Sequence, residues 1–226
     1  MKKTTMTLAA LAALAIAGAP LVGDAQQTTS AATVAAQVQG FYDQTSTVQS
    51  AFYQSHYDRI YRRTTRSRGV LTISRPGKLR FDYLGGNGKV VVSDGATMTV
   101  YEPGDDGGAG QYAQAPVREE GIPSALAFLT GGARLDRDFT FRLRDASAFR
   151  WDGHVLELRP RRDEPAYRRV FLYVDDDPRA AGVVRRVLIQ DHDGNLNRFD
   201  FRRTRFNRDV SEGRFEFSPP PGARRI

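Results

Sequence analysis

The sequence predicts a mostly β fold with some α (α+β): one long antiparallel meander carrying an N-terminal helix and a short central helix. Three observations lead to this. The segment Gly69–Tyr101 holds three short β-type runs, punctuated by Arg75-Pro76-Gly77, Asn87-Gly88 and Asp94-Gly95. In the middle run Leu79, Phe81 and Tyr83 alternate with Lys78, Arg80 and Asp82, so one sheet face is apolar and the other charged. Helical signals occur in only two places, one before this segment and a shorter one after it.

Taken in order, residues 1–25 read as a secretory signal peptide. Lys2 and Lys3 precede an apolar stretch from Leu8 to Ala17, and Gly23-Asp24-Ala25 offers small residues at the cleavage positions ahead of Gln26. The stretch falls short of the ~18 residues of a membrane anchor, and Pro20 follows it. The expectation is an exported, soluble protein forming a single domain over 26–226. Gln26 to Thr33 is a polar lead-in. Val34, Val38, Phe41, Thr45 and Val48 then recur at helical spacing, predicting an amphipathic helix that ends near Val48. Strands are expected over roughly 51–62, 68–74, 78–84, 89–93, 97–102, 111–116, 138–144, 147–151, 154–159, 167–174, 183–190, 196–205 and 214–218. Asp152-Gly153 carries a two-residue hairpin signal. Glu102 to Gly110 is too polar and glycine-rich to pack, and reads as a flexible tip. Pro123–Thr130 is the central helix, with Pro at its start and Gly131-Gly132 beyond its end. Its Leu126, Phe128 and Leu129 are unusually apolar for a surface segment. A meander this long curls into a closed barrel or an open half-barrel plugged by helices, and either can enclose an apolar cavity.

Composition narrows the function. There is no cysteine, so an exported chain must hold together by its core alone, and it carries no lipid on an N-terminal Cys. Formal net charge is +7. Without Lys2, Lys3 and Asp24 the balance is 31 basic against 25 acidic residues, or +6, and 29 of the 31 are Arg. An Arg:Lys ratio this lopsided reflects codon bias before it reflects a binding code, although a basic exterior favours anionic membrane surfaces or acidic partners. Nucleic acid is not expected as a partner, since no nucleic-acid motif is present.

Catalytic chemistry is missing from the pattern. Ser124 sits in Gly-Ile-Pro-Ser-Ala, which is not a G-x-S-x-G elbow. His56, His154 and His192 have no metal-ligand spacing. Asp191-His192-Asp193-Gly194-Asn195 lacks the glycine and distal Glu placement of a calcium loop and reads as a hairpin turn. Asp175 to Asp177 with Pro178 reads as a solvated turn, and Arg161-Arg162 and Arg202-Arg203 place neighbours on opposite strand faces without forming an anion clamp. The expectation is no enzyme, no cofactor and no metal.

An ordered set of short matches remains. It comprises the helix followed by Ala51-Phe52-Tyr53-Gln54, then G-x-L-x-I-x-R-P at Gly69 to Pro76 and Leu79-Arg80-Phe81-Asp82-Tyr83. Ser93-Asp94-Gly95 with Tyr101 and Phe128-Leu129-Thr130-Gly131 come next. Asp191-x-x-Gly194-Asn195 with Phe199 and Phe201, and Phe215-x-Phe217-x-Pro219-Pro220-x-Gly222, complete it. In this order the chain resembles the periplasmic outer-membrane lipoprotein carrier family, LolA. The resemblance implies an open antiparallel half-barrel of about eleven strands, lidded by the two helices over an apolar cavity. It implies a soluble periplasmic monomer of a Gram-negative bacterium that takes acylated lipoproteins from an inner-membrane ABC transporter and delivers them to an outer-membrane receptor, where the host has one. It assigns Arg75, before Pro76, to lid closure and cargo release, and places Leu79, Phe81, Met98, Val100, Leu126, Phe128 and Leu129 around the lipid. Leu79 stands where the family usually has an aromatic, and the Glu102–Gly110 loop is long and acidic. The rival readings are a LolA-like binder of another lipid or glycolipid, and an envelope-stress lipid sensor.

Overall fold

The computed structural model describes residues 29–86, 88–104, 107–117 and 126–226. The expected signal peptide, and the first part of the expected central helix with Ser124, lie outside the described residues. Helix α1 (Ala31–Asp43) precedes β1 (Thr47–Asp58), β2 (Arg63–Ser74), β3 (Lys78–Tyr83), β4 (Val90–Asp94), β5 (Thr97–Glu102) and β6 (Gln111–Pro116). Two short helices, α2 (Ala127–Thr130) and α3 (Leu135–Asp138), lead to β7 (Phe139–Arg144), β8 (His154–Pro160), β9 (Arg169–Val174), β10 (Val184–Gln190), β11 (Leu196–Phe206) and β12 (Arg224–Arg225). The strands form one sheet in the order β12-β6-β5-β4-β3-β2-β1-β11-β10-β9-β8-β7. Every neighbouring pair is antiparallel except β12 with β6. Strand β1 pairs with both β2 and β11, which joins the two halves of the meander. The sheet stays open: β6 and β7, consecutive in sequence, lie toward its two opposite ends, and the connection between them carries α2 and α3.

Strand alternation decides which side chains face inward. Directly paired residues share a face, so the register places Val48, Phe52, Leu71, Ile73, Leu79, Phe81, Met98, Leu156, Leu172, Val187 and Phe199 together on the concave face. They are buried and form one cluster with Val34, Ala35, Val38 and Tyr42 of α1 and Leu126, Phe128 and Leu129 at α2. Helix α1 is capped by Ser30, whose hydroxyl accepts the Thr33 N–H at 3.1 Å, and its buried stripe packs over β7 and β8. Gly69 on β2 lets the Phe52 ring approach the strand backbone closely. A Cβ there would fall 2.6 Å from the Phe52 ring and 2.1 Å from the Asp82 carbonyl oxygen.

Several expectations are corrected. The helix ends at Asp43, and Val48 is a concave residue of β1. Thr45, Thr47 and Val48 are β-branched and extend the chain, while the Thr45 hydroxyl turns back to the Phe41 carbonyl at 2.8 Å. Strand β1 stops at Asp58, and the expected strand over 51–62 ends instead in a turn at 59–62. No glycine or proline marks that turn. The Asp58 carboxylate accepts the Tyr61 N–H at 2.9 Å, and Arg62 adopts φ 50°. Residues 147–149 form a 3-10 turn rather than a strand, so a nine-residue connection replaces the expected Asp152-Gly153 hairpin. Its geometry is held by Trp151, whose Nε1–H donates to the Val174 carbonyl at 3.0 Å.

The expected last strand at 214–218 is a 3-10 turn (Glu212–Phe215) and an extended tail lying on the convex face. Arg80 Nη1 donates to the Arg214 and Glu216 carbonyls, 3.2 Å each, and so replaces a strand ladder. Helix α3 and strand β12 had no counterpart in the expected elements.

The convex face carries most of the charge, a small apolar cluster of Val155, Phe171 and Tyr173, and, among the described residues, the buried carboxylates of Glu157 and Asp200. The Glu157 side chain is 2% exposed, with Arg159 at 2.8 Å, Arg144 at 3.3 Å and Arg169 at 3.4 Å. Burial pushes its carboxyl pKa up, but Arg159 and Arg169 outweigh burial and hold it below the ordinary value of 4.5. A depressed carboxylate stabilises the fold above its unfolded-state pKa and loses that contribution as pH falls through the folded-state value. Denaturant titrations of Glu157→Gln should therefore show lower stability than wild type at pH 7, with the gap closing below about pH 4.5. A gap independent of pH would contradict the assignment. Gly69→Ala should cost at least about 2 kcal/mol by the same measurement, because neither the Asp82 backbone nor the packed Phe52 ring can retreat.

Candidate functional site

The candidate site is the concave face itself together with the segments that cover it. On β3, β4 and β5 the paired sets Leu79/Ser93/Met98 and Phe81/Val91/Val100 form two cross-strand rows of uncharged side chains. Such a lining offers nothing to stabilise a charged group and suits hydrocarbon. Phe52, Phe81, Tyr83 and Phe199 make an aromatic cluster, with ring centroids 5.0 Å apart for Phe52–Tyr83 and 5.1 Å for Phe52–Phe81. The face is sealed at one end and open at the other. Along β1 the inward residues run from buried Val48, Ser50 and Phe52 to half-buried Gln54 and exposed His56. Tyr83 lies at the transition, half-buried, its pKa pushed up to about 12 by burial and only partly offset by the Gln54 side chain. It is a neutral phenol at every physiological pH.

The structure brings six of the seven expected apolar residues into one buried cluster: Leu79, Phe81, Met98, Leu126, Phe128 and Leu129. Val100 packs against this cluster and is half-buried. The side chains of α2 therefore occupy the same sheet face that the strands present, and Phe128 meets Tyr42 of α1 edge-on at 5.5 Å. The Tyr42 hydroxyl in turn accepts the Val184 N–H at 3.4 Å, and burial raises its pKa far above the usual phenol value.

Arg75 is at the sealed end, in the turn between β2 and β3, with its side chain 14% exposed. Its Nη1 reaches the Thr45 carbonyl at 3.5 Å, just past α1, and its Nη2 stands 3.7 Å from Asp43. The other Asp43 oxygen faces Arg134 at 3.7 Å. The guanidinium lies against Gly131, the left-handed residue (φ 82°) that ends α2, where a Cβ would come within 2.9 Å of Nη2. Two residues on, the Gly77 N–H donates to the Thr130 carbonyl at 3.0 Å. One turn thus ties down the C-terminal ends of both covering helices. Sequence reasoning singled out Arg75 and the Gly131 cap but gave no role to Asp43, Thr45 or Thr130, whose contacts with Arg75 or Gly77 arise only in the fold.

Arg202 and Arg203 correct another expectation. A bulge opposite Ser50 shifts the β1–β11 register, and Arg203 adopts φ 53°. The two neighbours consequently line one shallow convex groove of about 660 Å³ with Tyr53, Arg186 and Asp200.

Gly131→Ala should unseat the Arg75 guanidinium and strain a left-handed position, since a β-carbon costs roughly 1–2 kcal/mol there. Amide exchange is expected to accelerate at Phe128 to Thr130 and at Gly77, with β8 and β9 unchanged. Uniform acceleration across the sheet would mean that the turn does not hold the helices.

The family described as Outer membrane lipoprotein carrier protein LolA matches residues 43–218. An outer-membrane lipoprotein carrier protein of Dechloromonas aromatica is 27% identical over 191 residues, covering 83% of this chain and 84% of the relative. One from Alkalilimnicola ehrlichii is 29% identical over 185 residues, covering 81% and 78%. Among solved structures, a LolA superfamily protein from Nitrosomonas europaea superposes with a TM-score of 0.49 at 12% identity, covering 84% of this chain and 98% of that one. The matched span runs from the end of the first helix to the tail that crosses the convex face, and on that basis the chain belongs to the LolA family of outer-membrane lipoprotein carriers, which are carriers rather than enzymes.

Proposed function

We propose that this protein is an exported periplasmic carrier that holds the acyl chains of lipoproteins on its concave face and moves them from the inner to the outer membrane. The observation that carries the reading is that α2 side chains and strand side chains share one uncharged face, under helices pinned by a single turn. Leaving an acyl chain in water costs about 0.8 kcal/mol per CH₂, or roughly 12 kcal/mol for a chain of about 16 carbons. Free diffusion across an aqueous compartment needs a protein that takes over that burial.

The lid explains how the cargo is also given up. An arriving chain displaces Leu126, Phe128 and Leu129 from the sheet, so binding exchanges one buried apolar surface for another, and its net free energy is a difference. The contacts holding the lid are weak. A neutral hydrogen bond such as Gly77–Thr130 contributes about 0.5–1.5 kcal/mol, and a part-exposed ion pair such as Arg75–Asp43 about 0–1. Acyl burial outweighs them on loading. They bias the empty protein toward closure and favour release once a receiving surface competes for the cargo. Arg75 is the arginine of this latch. Handover from an inner-membrane ABC transporter and to an outer-membrane receptor belongs to the same proposal, as do signal-peptide removal and a single domain over 26–226.

The test uses a synthetic triacylated lipopeptide and the mature protein. Binding should deprotect the amides of Phe128 to Thr130 while those of β3 and β5 stay protected. An unaltered α2 would place the cargo elsewhere. Arg75→Leu should bind the lipopeptide about tenfold more tightly and release it more slowly, since removing ~1.4 kcal/mol of closing bias is worth that factor. Unchanged or weaker binding would remove Arg75 from the latch.

A further inference from the structure

We propose that the tip of the β1–β2 hairpin is a docking element for an anionic phospholipid surface, seating Ile60 and Tyr61 in the headgroup region with arginines on the lipid phosphates. The two side chains are 77% and 80% exposed, adjacent, and in no hydrophobic cluster. They crown the pair of longest strands, twelve residues each. On one side strand β3 accompanies β2 only as far as Gly69, so residues 63–68 continue beyond it by about 20 Å at ~3.3 Å per residue, while on the other side β11 stays paired with β1 as far as Tyr57. The projection is ordered. Asp58 closes the turn on the Tyr61 N–H, and the Arg59 N–H donates to Asn195 Oδ1 at 2.9 Å.

Charge selects the partner. Within residues 58–66 Arg59, Arg62, Arg63 and Arg66 stand against the carboxylate of Asp58. Asp193 of the β10–β11 turn also lies beside the tip, its carbonyl accepting from Arg59 Nη1 at 3.2 Å, and none of the four arginines is ion-paired among the described residues. Tyrosine and a branched aliphatic inside a collar of arginines match the layering of a bilayer interface, where a phenol meets headgroup water, an aliphatic side chain meets the acyl boundary and guanidinium meets phosphate. Arginine-rich composition supplies guanidinium groups everywhere on this surface, but it does not place two large exposed apolar side chains among them. The tip also stands at the open end of the concave face, beyond Gln54 and His56. A lipid surface bound there would meet the mouth rather than the sealed end.

This goes beyond the carrier reading and needs no cargo, so it is tested with the empty full-length mature protein. Flotation with vesicles of phosphatidylethanolamine and phosphatidylglycerol should recover the wild type, and vesicles of phosphatidylcholine alone should not. The double variant Ile60→Asp, Tyr61→Asp should lose at least tenfold in partitioning with its thermal midpoint unchanged. Arg62→Gln with Arg63→Gln should weaken binding and flatten its salt dependence. Arg202→Gln with Arg205→Gln, on β11, should leave binding within twofold. Absence of binding to the anionic vesicles, unaltered binding by the tip variant, or equal losses from the β11 pair would each overturn the proposal. In the first case the tip would fit an apolar pocket of a protein partner instead. Lipopeptide uptake by the tip variant, measured separately, reports on the carrier reading alone.

Discussion

An apolar sheet face that the sheet cannot cover by closing on itself is the constraint from which the rest follows. Twelve strands curl, but β6 and β7 lie toward opposite ends of the sheet rather than pairing. The inward rows of Leu, Phe, Met and Val must then be covered by something other than strands. Helix α1 covers the β7–β8 half, and α2 lies in the connection that joins the two ends of the sheet. Both helices finish at the β2–β3 turn, where Arg75 and Gly77 meet their last residues.

Under the proposed function, this arrangement makes core and binding site one surface. In most globular domains core substitutions report on stability and site substitutions on function. With cargo held as proposed, Leu79, Phe81 and Phe128 on this concave face answer to both, because any group that improves packing under the helices also raises the cost of displacing them. The described contacts between the β2–β3 turn and the helix ends include a long hydrogen bond, a part-exposed ion pair and a backbone bond at a helix end. Strong, geometrically rigid pairs are placed where nothing needs to move. Glu157 under three arginines and Arg186 between Trp151 and Tyr173 both lie on the convex side.

Much of the fold was legible from local chemistry. Leu79, Phe81 and Tyr83 announced a one-sided sheet, and Gly131 announced the end of a helix. Legibility failed where side chains did the work usually done by glycine or a strand ladder. The 59–62 turn depends on Asp58 and on Arg62 at positive φ, residues that read as strand. The tail at 212–218 alternates like a strand, yet its carbonyls are satisfied by Arg80. Arg202 and Arg203 share a groove only because of a bulge opposite Ser50. Within the site the inward apolar positions followed from alternation. The partners of Arg75 and Gly77, namely Asp43, Thr45 and Thr130, did not, since each meets them through a long-range contact that no spacing encodes.

The central claim is that acyl chains replace the helix on the sheet. Native mass spectrometry of the protein drawn from its host cells tests this most directly. The account predicts adducts with the masses of triacylated lipoproteins or their N-terminal peptides, enriched on Arg75→Leu. Adducts of free phospholipid or glycolipid alone, together with failure of the purified protein to take up a triacylated lipopeptide, would contradict it.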